Sequence, residues 1–296
     1  MPPVGHNGNM NTPTDPASYA GADLRLAAVD MDGTLLDDDK NFPPGMDALL
    51  DLMDERGVTF APASGRQVWT LIDMFPGRPG MTVIGENGGI VMRDGVEVSS
   101  SPLDAPTMRE AVRLVREVTC GPDGIDGGLV MCGKQFAYVE RTDDRFVDGV
   151  IPYYHRTKRV DDQIAIIDGI EAGDVDDAIV KLAVFALGPV EALAEATLAH
   201  FSDTHQYAVS GANWADLQIR GVDKGSAVRD LQRFLGVARE QTAVFGDAGN
   251  DLSMMSEGEL SFAMANASAD VVEASRFVAP SNNEAGVAQV LRVLLG

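Results

Sequence analysis

The run Leu24-Arg25-Leu26-Ala27-Ala28-Val29 passes straight into Asp30-Met31-Asp32-Gly33-Thr34, and this junction constrains the fold more than any other stretch of the chain. It reads as a buried strand that ends in two acids and breaks at a glycine. Side chains alternate along an extended segment, so Asp30 and Asp32 point the same way. Two carboxylates crowded at a strand end repel each other and need a cation, a shared proton or both. In open α/β sheets that end of the strand is also where ligands bind. The pair reads as a nucleophile and an acid/base over one magnesium ion.

Both ends of the chain alternate strand and helix. Met46, Leu49, Leu50 and Met53 recur at helical spacing before Gly57, and strands are expected at Val58–Ala61 and Met81–Ile84 around a short helix near Arg66–Phe75. The pattern resumes with a helix from Lys224 to Leu235 stopped by Gly236, a strand Thr242–Phe245, a helix from Asp251, a strand Leu260–Met264 and a last helix carrying Val287, Val290, Leu291 and Leu294. Short links between alternating β and α imply a parallel sheet covered on both faces. The middle differs. It offers helices at Ala105–Val118 and Val190–Phe201, strands at Lys134–Arg141, Ile164–Ile167, Lys181–Leu187 and Leu217–Arg220, and hairpin-like breaks at Gly127-Gly128 and Cys132-Gly133. The expected organisation is a disordered tail (1–22), an α/β catalytic core (23–95 and 221–296) and an inserted α+β module (96–220).

The chain has 296 residues with 23 Lys plus Arg against 45 Asp plus Glu, a net charge of −22. That balance argues against nucleic-acid and anionic-membrane partners, which need a basic footprint. An anionic substrate would meet an unfavourable global field, so a local cation cluster or metal must reverse the sign at the site. No apolar run is long enough to suggest a membrane span. Cys120 and Cys132 form no paired zinc motif, and a reduced, cytoplasmic compartment is expected.

Four separated pieces fall at expected strand ends or helix starts: Asp30/Asp32, Ala63-Ser64-Gly65-Arg66, Asp223-Lys224-Gly225, and Gly246-Asp247-Ala248-Gly249-Asn250-Asp251. Parallel strands place their carboxyl ends on one edge, so these pieces can converge. Together they supply what phosphoryl transfer requires. Asp30 and Asp247 could give magnesium its carboxylates, while Ser64 and Lys224 could hold the remaining phosphate oxygens. An aspartate nucleophile makes an acyl-phosphate, and Asp32 would protonate the leaving alkoxide and then deprotonate water. Ser64 can equally be a helix N-cap. The acidic run Asp37-Asp38-Asp39 reads as a solvated loop rather than as a second metal site.

This set resembles the haloacid dehalogenase superfamily, and within it the Cof-type sugar phosphatases. The resemblance rests on the four pieces and on Leu35-Leu36, Glu86-Asn87-Gly88-Gly89 and Ala263-Met264-Ala265-Asn266-Ala267. It implies a Rossmann-like parallel core with an inserted α/β cap, and hydrolysis of a small phosphorylated metabolite. Asp30 becomes the phosphorylated residue and Asp32 the acid/base. Ser64 and Lys224 become the other catalytic groups, and Gly65, Arg66, Asn87 and Asn250 substrate contacts. The implied metal is Mg2+, held by Asp30, the main-chain carbonyl at Asp32 and Asp247, with Asp251 as a further acid of the metal group. A phosphomutase, a dehalogenase or a non-catalytic binding protein on the same fold are the rivals. A dehalogenase has no use for the acid at position 32.

Overall fold

The computed structural model describes residues 11–78 and 80–296. In chain order the elements begin β1 (Leu26–Asp30), α1 (Met46–Glu55), β2 (Thr59–Ala63), α2 (Val68–Asp73), β3 (Thr82–Gly85), β4 (Ile90–Arg93), β5 (Val96–Ser100), α3 (Ala105–Thr119), β6 (Gly127–Gly133), β7 (Ala137–Val139), α4 (Asp144–Val150) and β8 (Thr157–Arg159). They continue α5 (Gln163–Ala172), β9 (Ile179–Ala186), α6 (Glu191–Thr197), β10 (His205–Gly211), β11 (Trp214–Ile219), α7 (Lys224–Leu235), β12 (Thr242–Gly246), α8 (Leu252–Met255), β13 (Leu260–Met264), α9 (Ala269–Ala274), β14 (Phe277–Ala279) and α10 (Gly286–Leu295). Among the described residues no helix is long and apolar enough to cross a membrane. The chain forms two compact units. One takes the residues up to Ser64, Gly77–Ser99 and Asp223–Gly296, and the other takes Gly65–Pro76 and Ser100–Val222.

The first unit is built on an eight-stranded sheet of order β14-β13-β12-β1-β2-β3-β4-β5. The pairs from β14 through β3 are parallel, and β4 returns antiparallel to β3. β1 at its centre is buried at every residue, the burial expected of a strand with helices on both sides. Helix α1 turns Met46, Leu49, Leu50 and Met53 inward as their spacing predicts. Helix α7 ends where Gly236 takes φ 67°, a left-handed cap that glycine adopts without strain. Val96–Ser100, expected to open the inserted module, instead extends this sheet as an edge strand. The two-residue turn Asp94-Gly95 (φ 54° and 73°) joins it to β4, and such left-handed turns match the twist of a hairpin.

The expected disordered tail does not hold for residues 11–22; the first ten residues lie outside the described residues. The Thr14 N–H donates to the Val278 carbonyl at 2.8 Å, and the Thr14 hydroxyl accepts from the Val278 N–H at 2.8 Å. Tyr19 packs edge-on against Phe262 at 5.0 Å and Phe277 at 5.6 Å. The segment covers β14, which would otherwise be an open sheet edge. Composition misled because a few anchoring contacts suffice where a sheet edge waits to be covered. Tyr19→Ala is therefore expected to cost about 2–4 kcal/mol, read as a lower denaturant midpoint with activity per folded molecule unchanged.

The second unit holds a six-stranded sheet of order β10-β11-β9-β6-β7-β8. It is antiparallel except between β7 and β8. Two expectations fail here. The glycines at 127 and 128 do not make a hairpin; they lie on β6, which is buried throughout, whereas at Gly133 the chain does turn back, β7 running antiparallel to β6 with Cys132 opposite Ala137. Leu129 and Met131 pack with Met108, Val112 and Leu193, and Val130 and Cys132 pack with Phe146 and Phe185. With both faces covered, β6 has no polar alternation to advertise it. Ile164–Ile167, expected as a strand, lies in α5. Asp162 caps that helix by accepting from the Ile164 N–H at 2.8 Å, and Gly173 (φ 79°) ends it. A short apolar run is ambiguous by periodicity alone, and the caps decide.

Candidate active site

The site lies in the first unit, where three parallel strands end together. The register pairs Asp30 with Ala63 and Val29 with Phe245, so Asp30 sits beside the residue that precedes Ser64 and level with the exit of β12 into Asp247. Helix α7 brings in Lys224 as its first residue. Its N-cap, Asp223, accepts from the Ser226 N–H at 2.8 Å, and the Ser226 hydroxyl accepts from the Asp223 N–H at 3.0 Å. This reciprocal cap fixes where the helix begins.

A cation at a helix N-terminus opposes the helix dipole, and Lys224 is also fully buried. Its neighbours explain it. Lys224 Nζ donates to Asp30 Oδ1 at 2.5 Å and to Asp251 Oδ1 at 2.7 Å. The other oxygen of Asp251 accepts from the N–H groups of Asp247 and Ala248 at 3.0 and 3.1 Å. Both oxygens of Asp251 are thus engaged in holding Lys224 and the Asp247 loop. Asp247 Oδ1 accepts from the Thr34 hydroxyl at 2.9 Å. Gly33 (φ 82°) passes so close that a Cβ there would stand 2.5 Å from Asp247 Oδ2, so the turn after the two strand-end acids requires glycine twice over.

Carboxylate oxygens of Asp30, Asp247 and Asp251 lie within 4.8 Å of one another. Burial, then the Asp251 charge, push the Asp30 carboxyl up to about 8 against the pull of Lys224. Burial and Asp251 also raise Asp247, opposed by the Thr34 hydrogen bond. Burial alone would lower Lys224, but Asp251 and Asp30 outweigh it and hold it above the ordinary lysine value. Three acids against one ammonium leave negative charge in surplus. Oxygen-only donors and that surplus fit a hard divalent cation such as Mg2+. Asp30, Asp247 and Asp251 are the acids that could hold it, Asp251 being also bonded to Lys224 and to the Asp247 N–H.

The other expected site residues divide. Ser64 is buried at the end of β2, its N–H donating to Ile84 O and its carbonyl accepting from the Asn87 N–H, both at 2.9 Å. Asn87 sits in a turn in which Glu86, Asn87 and Gly88 all have positive φ (52°, 50°, 94°). Backbone strain of this kind at a non-glycine residue collects at functional sites. Asn250 Nδ2 donates to Asn87 Oδ1 at 3.3 Å, tying the two expected substrate contacts together. The Asp32 carboxylate is outside the close acidic group and meets Lys40 Nζ at 2.9 Å. Gly65 and Arg66 belong to the second unit, where Lys181 Nζ donates to Gly65 O at 2.7 Å and the Arg66 guanidinium lies 5.2 Å from the Tyr153 ring centre.

Sequence reasoning assigned no role to Thr34, Lys40, Asn266 or Asn282. Asn266 Nδ2 donates to Gly33 O at 2.7 Å and its Oδ1 accepts from the Asn282 N–H at 3.1 Å. Asn282 Nδ2 donates to Leu36 O at 3.0 Å and to Asp38 Oδ1 at 3.1 Å. These amides brace the turn after β1. The motif around Asn266 was the available signal; nothing in spacing or composition singles out Lys40.

Residues 27–291 match the haloacid dehalogenase-like hydrolase family. The chain is 33% identical over 277 residues to the 5-amino-6-(5-phospho-D-ribitylamino)uracil phosphatase YbjI of Escherichia coli, covering 92% of this chain and 96% of that protein. It is 25% identical over 253 residues to the HMP-PP phosphatase of Yersinia enterocolitica, covering 82% and 84%. A solved structure from Eubacterium rectale has the same fold, with a TM-score of 0.77 at 24% identity over 91% of this chain and 98% of that one. The family match spans both units and the likeness to a phosphatase runs nearly end to end, so this chain belongs to the haloacid dehalogenase-like hydrolases and is a phosphatase.

Proposed function

We propose that the chain hydrolyses small phosphomonoesters of the sugar-phosphate kind, with magnesium, through a phosphorylated Asp30. The observation that carries this reading is the grip of Lys224 on Asp30 inside a buried acidic group. With Oδ1 held by the ammonium, Asp30 Oδ2 is the oxygen that attacks phosphorus. The ester P–O bond breaks as the aspartyl P–O bond forms, and Asp32 gives its proton to the departing oxygen. Asp32 then takes a proton from water as that water attacks the same phosphorus, releasing inorganic phosphate and restoring Asp30. Ser64 and Lys224 hold the phosphoryl oxygens, where charge builds in the transition state.

Magnesium bound by Asp30, the Asp32 carbonyl and Asp247 would neutralise the charge of these acids and of the phosphoryl oxygens. Asn87 and Asn250 contact the substrate phosphate, and Gly65 and Arg66 are the further substrate contacts. The phosphoribityl group in the name of the Escherichia coli relative supports an ester of a small sugar or sugar alcohol. Free thiols at Cys120 and Cys132 support a reducing, cytoplasmic setting.

The test is phosphate release from a panel of small phosphomonoesters with magnesium and with excess chelator. Release is expected with magnesium, falling at least ~100-fold with chelator. Transfer of the phosphoryl group back to product without free phosphate would replace the hydrolase by a mutase.

A further inference from the structure

Lys40 adopts φ 66°, the left-handed region that glycine enters freely and a lysine only under strain. The loop that carries it is fastened on both sides. Asp37 O accepts from the Lys40 N–H at 2.9 Å and Asp37 Oδ1 from the Asn41 N–H at 2.8 Å. The Asp38 carboxylate accepts from Asn282 Nδ2 at 3.1 Å and Asn283 Nδ2 at 2.9 Å. The acidic run is therefore the loop's anchor. What the strained position delivers is the ammonium: Lys40 Nζ stands 2.9 Å from Asp32 Oδ1, with Lys40 58% and Asp32 35% exposed. An ion pair this exposed adds little to stability, so stability does not explain a lysine where glycine would fit better.

We propose that Lys40 is a positioning residue for Asp32, holding one carboxylate oxygen so that the other faces the leaving group and later the water. The inference rests on Asp32 being the acid/base. The proton moves from Asp32 Oδ2 to the ester oxygen as its bond to phosphorus breaks, and returns to Oδ2 from the attacking water. Lys40 itself exchanges no proton.

A poor leaving group needs that proton and a good one does not, so the ester chosen separates positioning from general damage. The test compares kcat/KM for p-nitrophenyl phosphate and for the best alkyl phosphate of the panel, in wild type, Lys40→Gly, Lys40→Arg and Asp32→Asn. Lys40→Gly relieves the backbone and is expected to fold at least as well. It should lose ~10-fold or more on the alkyl ester, stay within about twofold on the aryl ester, and be largely rescued in Lys40→Arg. An equal fall on both esters, or no fall on either, overturns the role of Lys40. If Asp32→Asn shows the ester split and Lys40→Gly does not, Lys40 alone is discharged. If Asp32→Asn also lacks it, the acid/base reading falls and the inference with it.

Discussion

Asp30→Asn is expected to lower phosphate release by at least ~1,000-fold while leaving the fold intact. An amide oxygen is a poor nucleophile, and Asp32, Ser64 and Lys224 cannot replace the bond Asp30 would form. The same variant reports on the electrostatics of the metal-free site. Folding lifts the Asp30 carboxyl from about 3.8 to about 8, so between those values the folded chain binds the proton more tightly than the unfolded one. Stability from this group is complete below about pH 3.8 and is lost as pH rises through about 8. In chelator, Asp30→Asn should gain on wild type as pH goes from 5 to 8, read from urea midpoints at each pH. Near-wild-type turnover in the variant would remove Asp30 from the nucleophile's role. A stability difference that does not widen with pH would mean that Asp30 is already ionised in the folded chain.

Lys224→Met carries the second large effect, on stability and activity together. Methionine fills similar space but strands Asp30 and Asp251 in a buried site without their shared cation. Breaking a buried pair in this way costs about 3–5 kcal/mol, a fall in Tm on the order of 10 °C for a chain of this size. Losing a donor to the phosphoryl oxygens should also cost ~100–1,000-fold in kcat. Adding Asp251→Asn should return part of the lost stability, since one stranded charge is gone, but none of the activity. A Tm within a degree or two of wild type would show that Lys224 does not balance the acids.

What the sequence made legible follows from how each feature is encoded. The α/β alternation, α7 with its Gly236 stop and α10 were readable because one face of each helix is apolar and the ends carry their own stop residues. The convergence of Asp30, Ser64, Lys224 and Asp247 was readable because parallel strands bring their carboxyl ends to one edge. β6 was not, since a strand buried on both sides by Phe146 and Leu193 tolerates glycines and shows no alternation. Ile164–Ile167 is as apolar as a strand, and only the Asp162 cap and the Gly173 stop make it a helix. The fate of residues 11–22 depended on β14, more than 250 positions away along the chain. Lys40 was hidden for a similar reason: its importance lies in a backbone angle and one distance, neither of which composition records.

The pairing of Asp30 with Lys224 spans 194 residues, and β1 lies between β2 and β12 in the sheet. On the ribosome, at ~5–20 residues per second, the acid precedes its counter-ion by about 10–40 s. The contiguous stretch Ser100–Val222 can collapse in that interval, whereas β1 through β3 must wait with an apolar edge unpaired. The chain's most vulnerable moment is thus late in its own synthesis. A defect in β12 or α7 would then show first as poor yield of folded protein, before any assay could register it as a slow enzyme.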